Sequence, residues 1–168
     1  MRAKILAVVV ILGAGYAAVG EEAAPMPKEG SYSSTSMGSN ALKVLPMGKD
    51  RLQITWEYLG ASLSDDGKGP THAASVRCLG SVHAVNGEYQ NFTNSCVFTR
   101  PDGDQIFSTE AATGKVGAAS KGTATFTGGT GKMSGITGGY EFTRIGVRPA
   151  VEGTGQFITR SKMSYKLP

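Results

Sequence analysis

Apolar and polar residues alternate along most of this chain with a period of two, which is the period of a β-strand that buries one face. The clearest run covers residues 52–58, where leucine, isoleucine, tryptophan and tyrosine occupy every second position. Similar runs predict strands over Ala74–Val85, Glu88–Thr99 and residues 105–111. No segment sustains a helical period, so the pattern predicts an all-β domain.

A glycine-rich segment, residues 122–144, consists of two further alternating runs that flank a turn. Gly128, Gly129 and Gly131 give that turn a backbone freedom that other residues lack. Nine of the 24 glycines lie between Gly114 and Gly139, and glycines within strands often mark the bends of a barrel. With a last strand within residues 153–164, we expect seven or eight strands. The sequence therefore predicts a small antiparallel closed β-barrel of about eight strands.

The N-terminus has the features of an export signal. Arg2 and Lys4 precede an apolar run that is too short to span a membrane, and small residues follow it. We therefore expect residues 1–20 to be a signal peptide and residues 21–40 to be a flexible leader, whose second half is either a weak edge strand or disordered. Residues 41–168 would form the single barrel domain of a periplasmic or secreted protein.

The charge and hydropathy of the chain argue against a nucleic-acid partner and against a membrane anchor. The formal net charge of +4 falls to about +2 once the two cations of the signal peptide are removed. The sequence has no basic run with interleaved aromatic residues, so we expect no nucleic-acid partner. No other stretch approaches the roughly 20 apolar residues of a membrane helix, so we expect no membrane anchor.

Cys78 and Cys96 lie on either side of Asn86-Gly87, a pair of residues typical of a two-residue β-hairpin turn. In that hairpin the two cysteines would be one position away from facing each other, a difference that a single β-bulge absorbs. We predict a disulfide between the two strands, which suits an oxidising compartment. The alternative is a pair of buried free thiols.

Motifs for cofactors and metals are incomplete. Gly131-Lys132 superficially resembles a phosphate-binding loop, but Phe126 stands where that motif needs glycine and Met133 follows the lysine. The two histidines, His72 and His83, have no evident cysteine or carboxylate partner with which to hold a transition metal. We therefore expect no cofactor and no metal site.

Three features in order suggest a family: Cys96, the turn Asp102-Gly103-Asp104, and the glycine run of residues 127–138. This combination resembles bacterial exported members of the allene oxide cyclase-like and dirigent-like β-barrel proteins. The resemblance implies an eight-stranded, calycin-like or allene oxide cyclase-like barrel with a central cavity, which often forms homo-oligomers. Family members in plants include a cyclase for a lipid epoxide and proteins that steer phenoxy-radical coupling. Their catalytic residues do not match this chain one by one, so neither activity carries over.

Several aromatic and polar residues could line such a cavity, although core packing is the default for aromatic side chains. The candidates for ligand binding are Trp56, Tyr58, Gln90, Phe92, Asn94, Phe126 and Tyr140. We expect an exported barrel that binds a small hydrophobic or aromatic ligand without catalysis.

Two alternatives stay open. One is an isomerase or cyclase, for which Glu88 is the candidate catalytic carboxylate because simple alternation places it on the face of Cys96, together with Gln90 and Asn94. The other is a structural or interaction barrel that holds no ligand.

Overall fold

A closed antiparallel barrel accounts for nearly all of residues 26–168, which are the residues that the computed structural model describes. The predicted signal peptide lies outside them. Each strand pairs with its neighbours in sequence, and the last pairs with the first. The strands are β1 (Glu29–Pro46), β2 (Arg51–Ser64), β3 (Ala74–Val85), β4 (Glu88–Thr99), β5 (Gln105–Lys115), β6 (Ser120–Gly129), β7 (Thr137–Val147) and β8 (Thr154–Lys166). A short 3-10 helix, Gly131–Met133, connects β6 to β7. The predicted all-β closed barrel is confirmed.

Strand β1 begins well before the predicted domain boundary. Glu29 already pairs with Lys166 of β8, and Ser34 pairs with both Ser64 and Ser161. Residues 29–40 therefore form a paired strand and not a flexible leader. Of the two alternatives for the second half of the leader, an edge strand or disorder, the strand is the one found, although a closed barrel gives it two neighbours. Small polar residues gave no apolar alternation, but the strand closes the barrel through backbone hydrogen bonds that do not depend on side chains.

The hairpin of β3 and β4 turns at Asn86 and Gly87, whose φ values of 53° and 76° are those of a type I′ turn. Cys78 lies directly opposite Cys96, and the two form a disulfide. The register shifts between Ser81 and Val85, which is the irregularity that the spacing of the cysteines required. The predicted disulfide is confirmed.

The two ends of the barrel differ. At one end the β4–β5 and β6–β7 connections cover the core, where Ile106 and Met133 are 0% exposed and Ile136 is 2% exposed. The β2–β3 loop also packs inward at this closed end, where the buried Thr71 hydrogen-bonds to Tyr32. The opposite end carries the β1–β2, β3–β4, β5–β6 and β7–β8 turns and stays open.

Some glycines of the inner face make room for aromatic rings. Gly38 pairs directly with Gly60, and a Cβ atom on either would lie 2.7 Å from Cζ of Tyr58. A Cβ atom on Gly80 would overlap the indole of Trp56. These inner glycines therefore have a role that the predicted barrel bends did not include: they leave space for aromatic rings against the wall.

Candidate ligand-binding cavity

The open end of the barrel contains a cavity of about 450 Å³. Its wall is formed where the inner faces of β1, β2, β3, β4 and β8 approach the rim, and the β5–β6 turn borders it as well. Apolar and aromatic side chains dominate this wall: Ile54, Trp56, Val82, Tyr89, Phe92 and Phe157. Trp56 and Phe92 stack with their ring centroids 5.0 Å apart. The cavity thus offers an apolar surface with a stacked aromatic pair on one side.

Arg144 of β7 forms part of the floor of this cavity. Its guanidinium carbon lies 4.9 Å from the ring centroid of Phe142 and 5.4 Å from that of Phe92. Its Nε donates to the Thr159 hydroxyl at 3.2 Å, and its Nη2 donates to Oε2 of Glu110 at 2.9 Å. Two rings and two hydrogen bonds therefore fix the orientation of this cation.

Glu110 of β5 lies beneath Arg144, and its side chain is only 5% exposed. Its Oε1 accepts a hydrogen bond from the Tyr140 hydroxyl at 2.9 Å. Its Oε2 accepts from Nδ2 of Asn94, also at 2.9 Å, in addition to Arg144. A buried carboxylate is tolerated when it is paired with a cation and hydrogen-bonded in this way.

Asn94 connects this buried cluster to the cavity wall. While its Nδ2 donates to Glu110, its Oδ1 accepts a hydrogen bond from Nε1 of Trp56 at 3.2 Å. The indole in the wall is therefore held by the same network that holds the carboxylate below the floor.

Below Arg144 the barrel is nearly filled, and a void of about 20 Å³ remains beside Tyr58, Glu110 and Tyr140. Burial raises the pKa of Tyr58 to about 12. Burial, with the negative charge of Glu110 adding to it, also raises the pKa of Tyr140 well above its usual value. Both phenols are therefore neutral at physiological pH, and Tyr140 can act as the hydrogen-bond donor to the carboxylate.

Most of the residues predicted to line a cavity do face the barrel interior, but at different depths. Trp56 and Phe92 line the open cavity, whereas Tyr58 and Tyr140 border the small void. Phe126 belongs to the core, where its ring lies 5.8 Å from that of Tyr140, centroid to centroid.

Glu88 and Gln90 face solvent, contrary to the predicted inner face. The β4 register shifts between Tyr89 and Phe92, and this bulge turns Tyr89 inward and its two neighbours outward. The side chain of Glu88 is 60% exposed and pairs with Lys115 on the surface. A strict period of two fails there because the bulge inserts an additional residue.

Glu110 and Arg144 were not among the residues predicted to form a site. The signal was present, because Arg144 is in phase with Tyr140 and Phe142 on β7, and Glu110 is in phase with Ile106 on β5. A charged residue in phase with an apolar face indicates either a partner within the core or a strand end, and a single strand cannot distinguish these possibilities.

The two motifs that suggested a family meet at the closed end. The backbone N–H of Lys132 donates to Asp104 at 2.8 Å, and the Lys132 side chain pairs with Asp102. The Asp-Gly-Asp turn and the glycine run therefore brace each other, far from the open cavity. This contact gives both motifs a structural role.

A larger concavity of about 890 Å³ lies on the outer wall, where β1, β8, β7 and β6 are adjacent. It is bordered by outward-facing side chains such as Thr123, Glu141 and Arg160. Its lining has no aromatic pair comparable with Trp56 and Phe92, so the open end is the better candidate for a ligand site despite its smaller volume.

Residues 26–168 contain no group of three or more His, Cys, Asp or Glu side chains placed to hold a metal ion. Within the same range, no helix has the length and apolar character needed to cross a membrane. Comparisons with protein-family models, with curated proteins and with solved structures found no match. Fold and site together define a closed eight-stranded antiparallel barrel with an apolar cavity above a buried Glu–Arg pair.

Proposed function

We propose that this protein is an exported barrel that binds a small hydrophobic or aromatic ligand in the cavity at its open end. The observation that carries the proposal is the cavity of about 450 Å³ lined by apolar and aromatic side chains. Small-molecule sites typically have volumes of roughly 300–1,000 Å³ and a mostly apolar lining with few polar groups. The stacked pair of Trp56 and Phe92 suits a flat or ring-containing ligand.

Export is supported by the disulfide between Cys78 and Cys96, because such bonds persist in oxidising compartments. The proposal includes the resemblance to allene oxide cyclase-like and dirigent-like barrels. An eight-stranded antiparallel barrel with one open end agrees with that resemblance at the level of the fold.

Binding without catalysis is favoured by the state of the acidic residues near the site. Glu88, the carboxylate considered for an isomerase or cyclase, is on the surface. Glu110 is inside, but both of its oxygens accept hydrogen bonds and Arg144 neutralises its charge. A carboxylate held this way positions its neighbours and is poorly available as a base.

The binding proposal can be tested with N-phenyl-1-naphthylamine, a neutral hydrophobic fluorescent probe, titrated into the purified protein. Val82→Phe would add a ring to the cavity wall, and we expect it to weaken probe binding at least about tenfold. Leu79→Phe is the matched control, because Leu79 lies on the same strand but is 56% exposed on the outer face. Thermal unfolding of both variants verifies that they are folded.

Equal probe affinity of Val82→Phe and the unmodified protein would show that the cavity is not the binding site. Absence of binding by a panel of neutral apolar probes would reject the proposed function.

A further inference from the structure

Arg144 uses only part of its hydrogen-bonding capacity within the protein. A guanidinium has five N–H donors, yet Arg144 makes hydrogen bonds only through Nε and Nη2 to other residues of the described chain. Those two atoms are directed at Thr159 and Glu110. The Nη1 group has no hydrogen-bond partner among residues 26–168.

Among the described residues, Arg144 is the one that lines both the open cavity and the inner void. Glu110 borders only the inner void. The guanidinium therefore separates the carboxylate from the cavity. Phe92 and Phe142 lie against the guanidinium, and Nε and Nη2 are engaged, which leaves Nη1 as the donor group without a partner in the described part of the chain.

The charge balance at the floor restricts the ligand. Glu110 already compensates the charge of Arg144 through their contact at 2.9 Å. Lys115, the other cation that lines the cavity, is already paired with Glu88 at the surface. A ligand carboxylate at Arg144 would place a second negative charge near Glu110 and would have to lose its own hydration against the apolar wall. A neutral oxygen acceptor gains the hydrogen bond from Arg144 without either cost.

We propose that the cavity selects apolar ligands that carry a neutral oxygen acceptor, such as a carbonyl or ether, at the end that reaches Arg144. The proposal rests on the function proposed above and specifies its ligand class. The apolar body of the ligand packs on Trp56 and Phe92, and its oxygen accepts from the guanidinium. A pure hydrocarbon would leave these donors without a partner, which is how polar groups in an apolar site generate selectivity.

Three ligands with a common naphthalene body test the proposal: 2-acetylnaphthalene, 2-ethylnaphthalene and 2-naphthoate. Their affinities are measured by isothermal titration calorimetry on the complete, oxidised protein. We expect the ketone to bind at least about tenfold more tightly than the hydrocarbon, and also more tightly than the carboxylate.

Removal of Arg144 alone would leave a buried carboxylate without its cation, so the variant used is the double substitution Arg144→Met with Glu110→Gln. We expect its preference for the ketone over the hydrocarbon to fall to about one. Arg160→Met is the matched control, because Arg160 is exposed on the outer wall, and it should keep the preference. If the double variant does not fold, the ligand series on the unmodified protein decides the question.

Equal affinities for ketone and hydrocarbon would overturn this inference and leave the proposed binding function intact. Tightest binding by 2-naphthoate would overturn the choice of a neutral acceptor. A ketone preference that persists in the double variant would show that Arg144 does not bind the ligand oxygen. If none of the three ligands binds, the proposed function fails together with this inference.

Discussion

Two tyrosines inside the barrel should respond in opposite ways to replacement by phenylalanine. The hydroxyl of Tyr140 is the only hydrogen-bond donor to Oε1 of Glu110 among the described residues, at 2.9 Å. The hydroxyl of Tyr58 is buried and has no hydrogen-bond partner within residues 26–168. The same chemical change therefore removes a charge-assisted hydrogen bond at one site and an unpaired polar atom at the other.

The expected magnitudes follow from these contacts. A hydrogen bond to a charged group contributes about 1.5–3 kcal/mol, and a buried acceptor left unpaired is costly. We expect Tyr140→Phe to lower the free energy of unfolding by about 2–3 kcal/mol, because Asn94 and Arg144 both bind the other oxygen of Glu110. We expect Tyr58→Phe to leave the stability unchanged or to raise it by up to about 1 kcal/mol.

Urea unfolding under oxidising conditions measures both effects, with the fluorescence of Trp56, the only tryptophan of the chain, as the signal. An unchanged slope of the unfolding free energy against urea concentration would show that the variants and the unmodified protein have comparable denatured states. A loss of less than about 0.5 kcal/mol in Tyr140→Phe, or an equal loss in both variants, would refute the assignment of the Glu110 network as a stabilising element.

Three further predictions concern the disulfide, the glycine behind the indole and the buried phenols. Replacing Cys78 and Cys96 by alanine removes a link between residues 18 positions apart in the sequence and should lower the free energy of unfolding in urea by about 3 kcal/mol; a loss below about 1 kcal/mol would contradict this. Gly80→Ala should shift the emission of Trp56 and destabilise the protein by about 1–3 kcal/mol, because the added methyl overlaps the indole; unchanged emission would contradict the packing. Because burial raises the pKa of Tyr58 to about 12, the folded state holds this proton more tightly than the unfolded chain. The stability that Tyr58 contributes in this way is complete below pH 10 and is lost between pH 10 and 12. Urea unfolding across this pH range should show a smaller loss of unfolding free energy in Tyr58→Phe than in the unmodified protein. An equal loss in the two proteins would contradict the raised pKa of Tyr58.

Much of the fold follows from residues whose local physics is unambiguous. The strands on either side of Asn86-Gly87 were predicted with the bounds they have in the structure, because alternation and turn type agree there. For the first half of β1 the sequence left a weak edge strand and disorder open, since its serines and glycines carry no apolar signal. Its position is determined by the closure of the barrel, which is a property of all eight strands together.

The site was harder to predict because it depends on register between strands. Simple alternation placed Glu88 inside, and one bulge in β4 reversed that placement. The same alternation carried the information for Glu110 and Arg144, but neither side chain explains the other until β5 and β7 are brought together across the barrel. Glu110 and Arg144 are 34 positions apart in the sequence, and this spacing does not indicate the contact of 2.9 Å between their side chains.

Asn94 connects the disulfide to the candidate site. Asn94, which holds both Trp56 and Glu110, is two residues from Cys96 on the inner face of β4 and donates to its sulfur at 3.3 Å. Gly80 lies directly opposite Asn94 and leaves space for the indole to reach it. The disulfide thus fixes β3 and β4 beside Asn94, the residue that joins the cavity wall to the buried carboxylate. Loss of the disulfide should therefore weaken the proposed ligand binding as well as stability, because the geometry of the wall depends on the register that the disulfide secures.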